Sequence, residues 1–228
     1  MASWKALRPW CDCLLQCHCG GSALLHLDRN RQARAGAGAE PGDSIVGIMN
    51  PASNLILVGP MGAGKTSVGR RLAQLFGLRF VDADQAVVER SGAAIATIFE
   101  HVGERGFRER EKAALGELLD GEGVLVSTGG GAVLDPDNRQ RMRQRGFVVH
   151  LQVSVESQLR RLGRDRSRPL LQHGDPEQVL RALASVREPL YAEIADLALD
   201  TDGLSSGAAA MKLARLLADR WRRPGQAA

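Results

Sequence analysis

Asn54-Leu-Ile-Leu-Val-Gly-Pro-Met-Gly-Ala-Gly-Lys-Thr-Ser67 decides the fold of this chain. Its apolar run reads as a buried strand ending at Gly59. Gly59-Pro-Met-Gly-Ala-Gly64-Lys65-Thr66 then fits the phosphate-binding pattern G-x-x-x-x-G-K-[ST]. A helical pattern starts at once, with Val68, Leu72 and Leu75. Glycines let backbone N–H groups wrap an anion that side chains would keep away, and the positive end of the next helix points at the same place. Lys65 can reach the β- and γ-phosphates, and the Thr66 hydroxyl can ligate Mg²⁺. A plain glycine-rich turn would leave Lys65 unexplained. The stretch is a nucleotide-binding site.

The rest of the chain fits one substantial core around that loop. At 228 residues there is room for one domain and a small lid. Hydrophobic content of 44% and charged content of 25% are ordinary for a globular protein. A net charge of +4 with only 4% aromatic residues gives little stacking surface for bases, so nucleic acid is not an expected partner. No apolar stretch approaches the roughly 20 residues of a membrane helix, so no membrane partner is expected.

All four cysteines lie in Cys11-Asp-Cys13 and Cys17-His-Cys19. Their C-x-C spacing is tighter than the usual zinc pattern, and no later Cys or His pair completes a site. The absence of cysteine elsewhere fits a reducing cytosol, and a cytoplasmic location is expected. Residues 1–50 lack periodicity and end in Ala35-Gly-Ala-Gly-Ala-Glu-Pro-Gly-Asp43, which reads as a disordered extension. Polar residues interrupt Leu14 to Leu27 too early for a secretory signal, and four acids fit a transit peptide badly. Met49 is an alternative start; peptides from residues 1–48 in the native protein would refute it. Residues 51–224 read as a single domain.

From Asn54 onward, strands alternate with helices. Strands are predicted at Leu55–Val58, Arg79–Val81, Val124–Ser127, Phe147–Leu151 and Leu197–Leu199. Helices are predicted around 65–76, 84–91, 94–100, 104–119, 137–145, 155–162 and 176–187. Asp175-Pro-Glu-Gln178 is a good helix start, and Pro189 should end or kink that helix. A last helix runs from Ser206, a candidate N-cap, to Trp221, with Met211, Ala214, Leu217 and Trp221 on one face. This alternation implies a doubly wound parallel α/β sheet covered on both sides, whose ligands gather at the carboxyl ends of the strands.

The strand ends carry the chemistry. Phe80-Val-Asp82-Ala-Asp84 places two carboxylates after the second strand. Asp82 suits Mg²⁺ held through water, and Asp84 suits a substrate hydroxyl; the competing reading is that one of them, Asp84 for instance, caps the next helix. Ser127-Thr-Gly129-Gly130-Gly131 follows the third strand, and three glycines in a row suggest close backbone approach to a second substrate. The alternative there is a tight loop. Arg108 opens a helix whose face carries Phe107, Ala114, Leu115 and Leu118, and Arg187 closes the helix beginning near 176. Taken singly each arginine is a surface charge, but together they can clamp a carboxylate bidentately, as lysine cannot. Arg164-Asp-Arg166-Ser-Arg168 is a polar segment able to close over a transferred phosphoryl group.

Together these motifs resemble the shikimate kinases, across roughly residues 53–220. The resemblance rests on Gly59–Thr66, Phe80–Asp84, Phe107-Arg108, Gly129–Gly131, Arg168-Pro-Leu-Leu171 and Arg187-Glu-Pro-Leu-Tyr191, in that family's order. It implies a five-stranded P-loop fold of order 2-3-1-4-5 in a three-layer sandwich, with a lid at about 162–174. It also implies transfer of the γ-phosphoryl of ATP to the 3-hydroxyl of shikimate, with Mg²⁺, on the route to chorismate and the aromatic amino acids. Lys65, Asp84 and Arg168 would be catalytic. Gly62, Ala63, Gly64, Lys65, Thr66 and Ser67 would hold phosphates, with Arg161 and Arg168 beside the nucleotide. Thr66 and, through water, Asp82 would hold the metal. Asp84, Arg108, Gly130, Gly131 and Arg187 would bind shikimate, and a monomer is expected. The family often has a proline before the last helix, near adenine; Thr201–Ser206 has none, and Ser206 takes that place.

Three other readings compete. Another P-loop metabolite kinase, such as a gluconokinase, would not need Arg108, Arg187 and the triple glycine together. A nucleoside monophosphate kinase lacks support, since no second phosphate loop is present. A nucleotide-binding protein without catalysis would not need to retain Asp84, Arg108, Arg168 and Arg187.

Overall fold

A computed structural model describes residues 52–163 and 175–221. Five strands form one parallel sheet: β1 (Asn54–Val58), β2 (Arg79–Asp82), β3 (Val124–Ser127), β4 (Gly146–Gln152) and β5 (Leu197–Asp200). Their order is β2-β3-β1-β4-β5, as expected. β1 lies at the centre, paired with β3 (Leu57 opposite Ser127) and with β4 (Val58 opposite His150). The strand that feeds the phosphate loop is therefore buried on both faces. This explains why it reads as a continuous apolar run rather than an alternating one.

Successive side chains of the strands enter two different cores. Leu55 and Leu57 join Leu125, Phe147, Val149 and Leu151 under α1 (Lys65–Phe76) and α7 (Ser206–Arg220). Ile56 and Val58 join Val126, Val148, Leu115, Met142 and Tyr191. That second face is covered by α3 (Ile95–Asp120), α4 (Pro136–Arg145) and α6 (Pro176–Ile194). α2 (Ala83–Ser91) packs on α3 around Val87, Ile98 and Phe107, and α5 (Val155–Leu162) follows β4. Among the described residues, no helix is long and apolar enough to cross a membrane.

Local rules account for most boundaries. α3 is broken at Gly103, whose φ of 68° and ψ of −175° leave the helical region, which is why its sequence reads as two helices. Asp135 and Asp175 cap α4 and α6, accepting from Asp137 N and Glu177 N, with proline next in each case. Three expectations are corrected. α6 does not end near residue 187 but runs through Pro189 to Ile194. The carbonyl deprived of its donor belongs to exposed Ser185, where water can take it, while Tyr191 and Ile194 bury the turn beyond. Ser205, not Ser206, caps α7, accepting from Ala208 N. Met211 is 51% exposed, because the buried stripe of α7 runs through Ala210, Leu213 and Leu217.

Candidate active site

The phosphate loop has the backbone that its glycines permit. Gly59, Gly62 and Gly64 have φ of 141°, 79° and 87°, and Gly64 sits at the N-cap of α1 without a side-chain cap. A Cβ on Gly59 would collide with the Leu151 carbonyl of β4. Lys65 folds over the loop, its Nζ donating to the carbonyls of Gly59 at 2.7 Å and Pro60 at 2.8 Å. Ala63 is buried in the core, and its N–H donates to Pro60 O within the loop. Ser67 is exposed on the first turn of α1.

Asp82 and Asp84 diverge because α2 begins between them. Asp82, the last residue of β2, is the helix cap: its Oδ1 accepts from Asp84 N at 3.1 Å. Its other oxygen, Oδ2, accepts from Thr66 Oγ1 at 2.8 Å. The alternative in which Asp84 caps α2 is thereby excluded, and Asp84 projects from the first turn toward the glycine run. Thr66 with a single carboxylate at hydrogen-bond distance suits Mg²⁺, which takes few protein ligands and keeps several waters.

The three glycines form the floor on which the other groups stand. None of them has positive φ, so it is the missing Cβ that matters. A Cβ on Gly129 would lie 2.6 Å from both Asp84 Oδ1 and Glu111 Oε1. One on Gly131 would lie 2.5 Å from Arg108 Nη1. At Gly130 the neighbours are Arg187 Nη1 at 3.5 Å, Gly59 O at 3.6 Å and Tyr191 OH at 3.6 Å. Two arginines and two carboxylates thus converge beside the phosphate loop. The run is also a tight turn, Ala132 N donating to Gly129 O at 3.2 Å, but a turn alone does not account for this crowding.

Their electrostatics are unequal. Arg108 donates to Glu111 Oε2 at 2.6 Å and to Glu104 Oε1 at 3.2 and 3.3 Å. Burial works against its charge, but these carboxylates outweigh that and raise its pKa. Glu111 is 1% exposed; burial pushes its carboxyl up against the opposing pull of Arg108, and the charge of Asp84 pushes it further. Arg187 is 6% exposed, and burial lowers its pKa. Two buried polar atoms lack a hydrogen-bond partner here: Arg187 Nε and Glu111 Oε1. A donor and an acceptor left unmatched around one glycine floor fit a ligand carrying both a carboxylate and hydroxyls.

At the other end of the loop, Arg161 donates to Gly62 O at 2.9 Å, Thr201 Oγ1 at 3.2 Å and Thr201 O at 2.6 Å. It joins the phosphate loop to the segment before α7, where Ser206 is the first helical residue. Arg168 and the segment read as a lid fall in 164–174, outside the described residues apart from the end of α5. A cavity of about 500 Å³ opens between α2 and α3, lined by Arg90, Thr97, His101 and Arg110 among others. None of the predicted site residues lines it.

Glu104, Glu111 and Thr201 were given no role by the sequence reading, and Tyr191 entered it only as part of a motif. Glu111 hides in Glu109-Arg-Glu-Lys112, which looks like a solvated charge run. The missed signal is its spacing: Glu111 lies four residues after Phe107 and three before Ala114, within the apolar face of α3. Tyr191 donates from its hydroxyl to Gly130 O at 2.5 Å, fixing α6 to the glycine floor.

The fold and the site define a P-loop phosphotransferase. A sequence profile described as shikimate kinase matches residues 61–218. The shikimate kinase of Stenotrophomonas maltophilia strain R551-3 is 62% identical over 175 residues, covering 77% of this chain and 97% of that protein. The solved structure of shikimate kinase from Acinetobacter baumannii in complex with shikimate is 47% identical, with a TM-score of 0.71, over 73% of this chain and 93% of that one. A gluconokinase from Sinorhizobium meliloti, 21% identical with a TM-score of 0.51, shares the fold alone. The chain belongs to the shikimate kinase family, ATP-dependent enzymes that transfer a phosphoryl group to a hydroxyl of shikimate.

Proposed function

We propose that this chain moves the γ-phosphoryl of ATP to the 3-hydroxyl of shikimate, with its residues dividing the work as follows. The amides of Gly62–Thr66 and the N-terminus of α1 cradle the phosphates, and Ser67 reaches them from the same turn. Lys65 leaves the Gly59 and Pro60 carbonyls for the β- and γ-phosphates, exchanging neutral acceptors for charged ones. Thr66 and, through water, Asp82 would hold Mg²⁺, which would neutralise phosphate charge. Arg161 and Ser206 flank the nucleoside.

On the acceptor side, Arg187 and Arg108 take the carboxylate while Gly130 and Gly131 let the ring lie against main chain. Asp84 orients the attacking hydroxyl and accepts its proton as the new O–P bond forms and the bond to ADP breaks. In a loose transition state the alignment outweighs the proton removal. Glu111 holds Arg108 in place. The product enters the route to chorismate and the aromatic amino acids, and the enzyme works as a cytoplasmic monomer.

The observation that carries this reading is Arg187, a buried guanidinium with an unmatched Nε, facing Gly130 beside the phosphate loop. A coupled assay for ADP, run with and without shikimate, tests it. Shikimate-dependent ADP release, with phosphorus NMR of the product showing the ester at O3, is expected. Turnover of gluconate without turnover of shikimate would refute it.

A further inference from the structure

His150 stands on the face of β4 that joins Val148 and Val58, a position suited to an apolar residue. It is 1% exposed, yet neither ring nitrogen has a hydrogen-bond partner. Burying an unmatched imidazole is destabilising, so packing alone does not explain it.

Its neighbours come from both halves of the site. The ring lies 5.0 Å from that of Tyr191, at 34°. Nε2 is 3.5 Å from Glu188 Oε1, on the same turn of α6 as Arg187. Gln152, two residues further along that face of β4, also bonds the Glu188 carboxylate. Lys65 also acts on the ring: burial first, and then that ammonium, push the imidazole down to about 4. The charged and titratable groups facing it are Lys65 of α1 and Glu188 and Tyr191 of α6. The ring is neutral at physiological pH, with one N–H to donate and one nitrogen to accept.

We propose that His150 is a positioning residue which, by closing its gap to Glu188 when substrates bind, seats the Arg187–Tyr191 turn of α6 against the phosphate loop. The inference rests on Arg187 being the acceptor clamp. Nε2–H donates to the Glu188 carboxylate, the stack on Tyr191 sets the depth of the turn, and the Tyr191 hydroxyl carries that setting to Gly130. An unpartnered nitrogen in the free enzyme makes the closed arrangement favourable without locking it beforehand.

The test is His150→Phe, which keeps the ring stack and loses both nitrogens, alongside Glu188→Met, which has no oxygen to accept the bond, and the double variant. His150→Phe should keep or raise Tm, because an unmatched polar group is gone, while the KM for shikimate rises about tenfold and that for ATP changes less than about twofold. The double variant should be no worse than either single one, since both remove the same bond. Shikimate kcat/KM within about twofold of wild type in a folded His150→Phe enzyme would overturn the inference, as would losses that multiply in the double variant. Arg187→Met distinguishes the two readings. If it spares shikimate binding, the clamp assignment fails; if it abolishes binding while His150→Phe is silent, only the positioning role fails.

Discussion

Replacing Arg187 with Met leaves a side chain of similar length without charge or donors. In the free protein, the guanidinium is 6% exposed, its Nε is unmatched, and burial already works against its ionised form. Removing it takes away a desolvation cost of about 1–3 kcal/mol but also its interaction with Tyr191. Stability should therefore hold or rise slightly. With shikimate bound, the same change removes a buried charge-assisted pair and leaves a carboxylate facing methionine, a loss of about 2–5 kcal/mol. In kcat/KM for shikimate that is a fall of roughly 30- to 4,000-fold, with the KM for ATP moving only a few-fold. Initial rates in a coupled ADP assay, with each substrate varied in turn, and thermal melts of both proteins measure the two halves. Arg187→Met with near-normal shikimate kcat/KM would show that the buried charge does not serve the acceptor. A large fall in Tm would show instead that it holds up the fold.

Asp84→Asn should nearly abolish turnover while ATP affinity, read by titration calorimetry, stays within about a few-fold of wild type, since its role concerns the acceptor. Glu111→Gln weakens the 2.6 Å bond that fixes Arg108 and leaves Glu104 as its charged partner; shikimate kcat/KM should fall about tenfold or more, and an unchanged value would contradict the arrangement. Gly131→Ala puts a methyl 2.5 Å from Arg108 Nη1, so shikimate KM should rise at least about tenfold in steady-state kinetics with little change in Tm. The imidazole of His150 sits at about 4 in the fold against an ordinary 6.5. The unfolded chain takes up the proton first, so this contribution is complete above about 6.5 and lost as pH falls toward 4. Melts across that range should therefore decline more steeply for wild type than for His150→Phe.

The sheet was legible because its code is local. Leu55–Val58 is apolar without a break, and Gly59–Thr66 demands a strand before it and a helix after it. The same holds for Asp175-Pro and for Gly103, whose roles depend on near neighbours. What the sequence withheld depended on contacts between distant segments. The cap that Asp82 makes on α2 is local, but only the fold turns its second oxygen to Thr66, sixteen positions earlier. Pro189 fails to stop α6 because residues after it bury against the sheet. Glu111 reads as a surface acid until the fold sets it against Gly129, whose Cβ would lie 2.6 Å from its Oε1, and nothing near His150 in the chain announces Glu188.

A recognition surface made of main chain obeys different rules from one made of side chains. Residues 129–131 have no atoms beyond the backbone to trim or exchange, and a mutation there can only add bulk. Variation at that floor crowds Asp84, Glu111 and Arg108 and can narrow the space above it but never widen it. Widening the space over this surface therefore falls to the side chains that stand around it, Arg108, Glu111 and Arg187, where atoms can be removed.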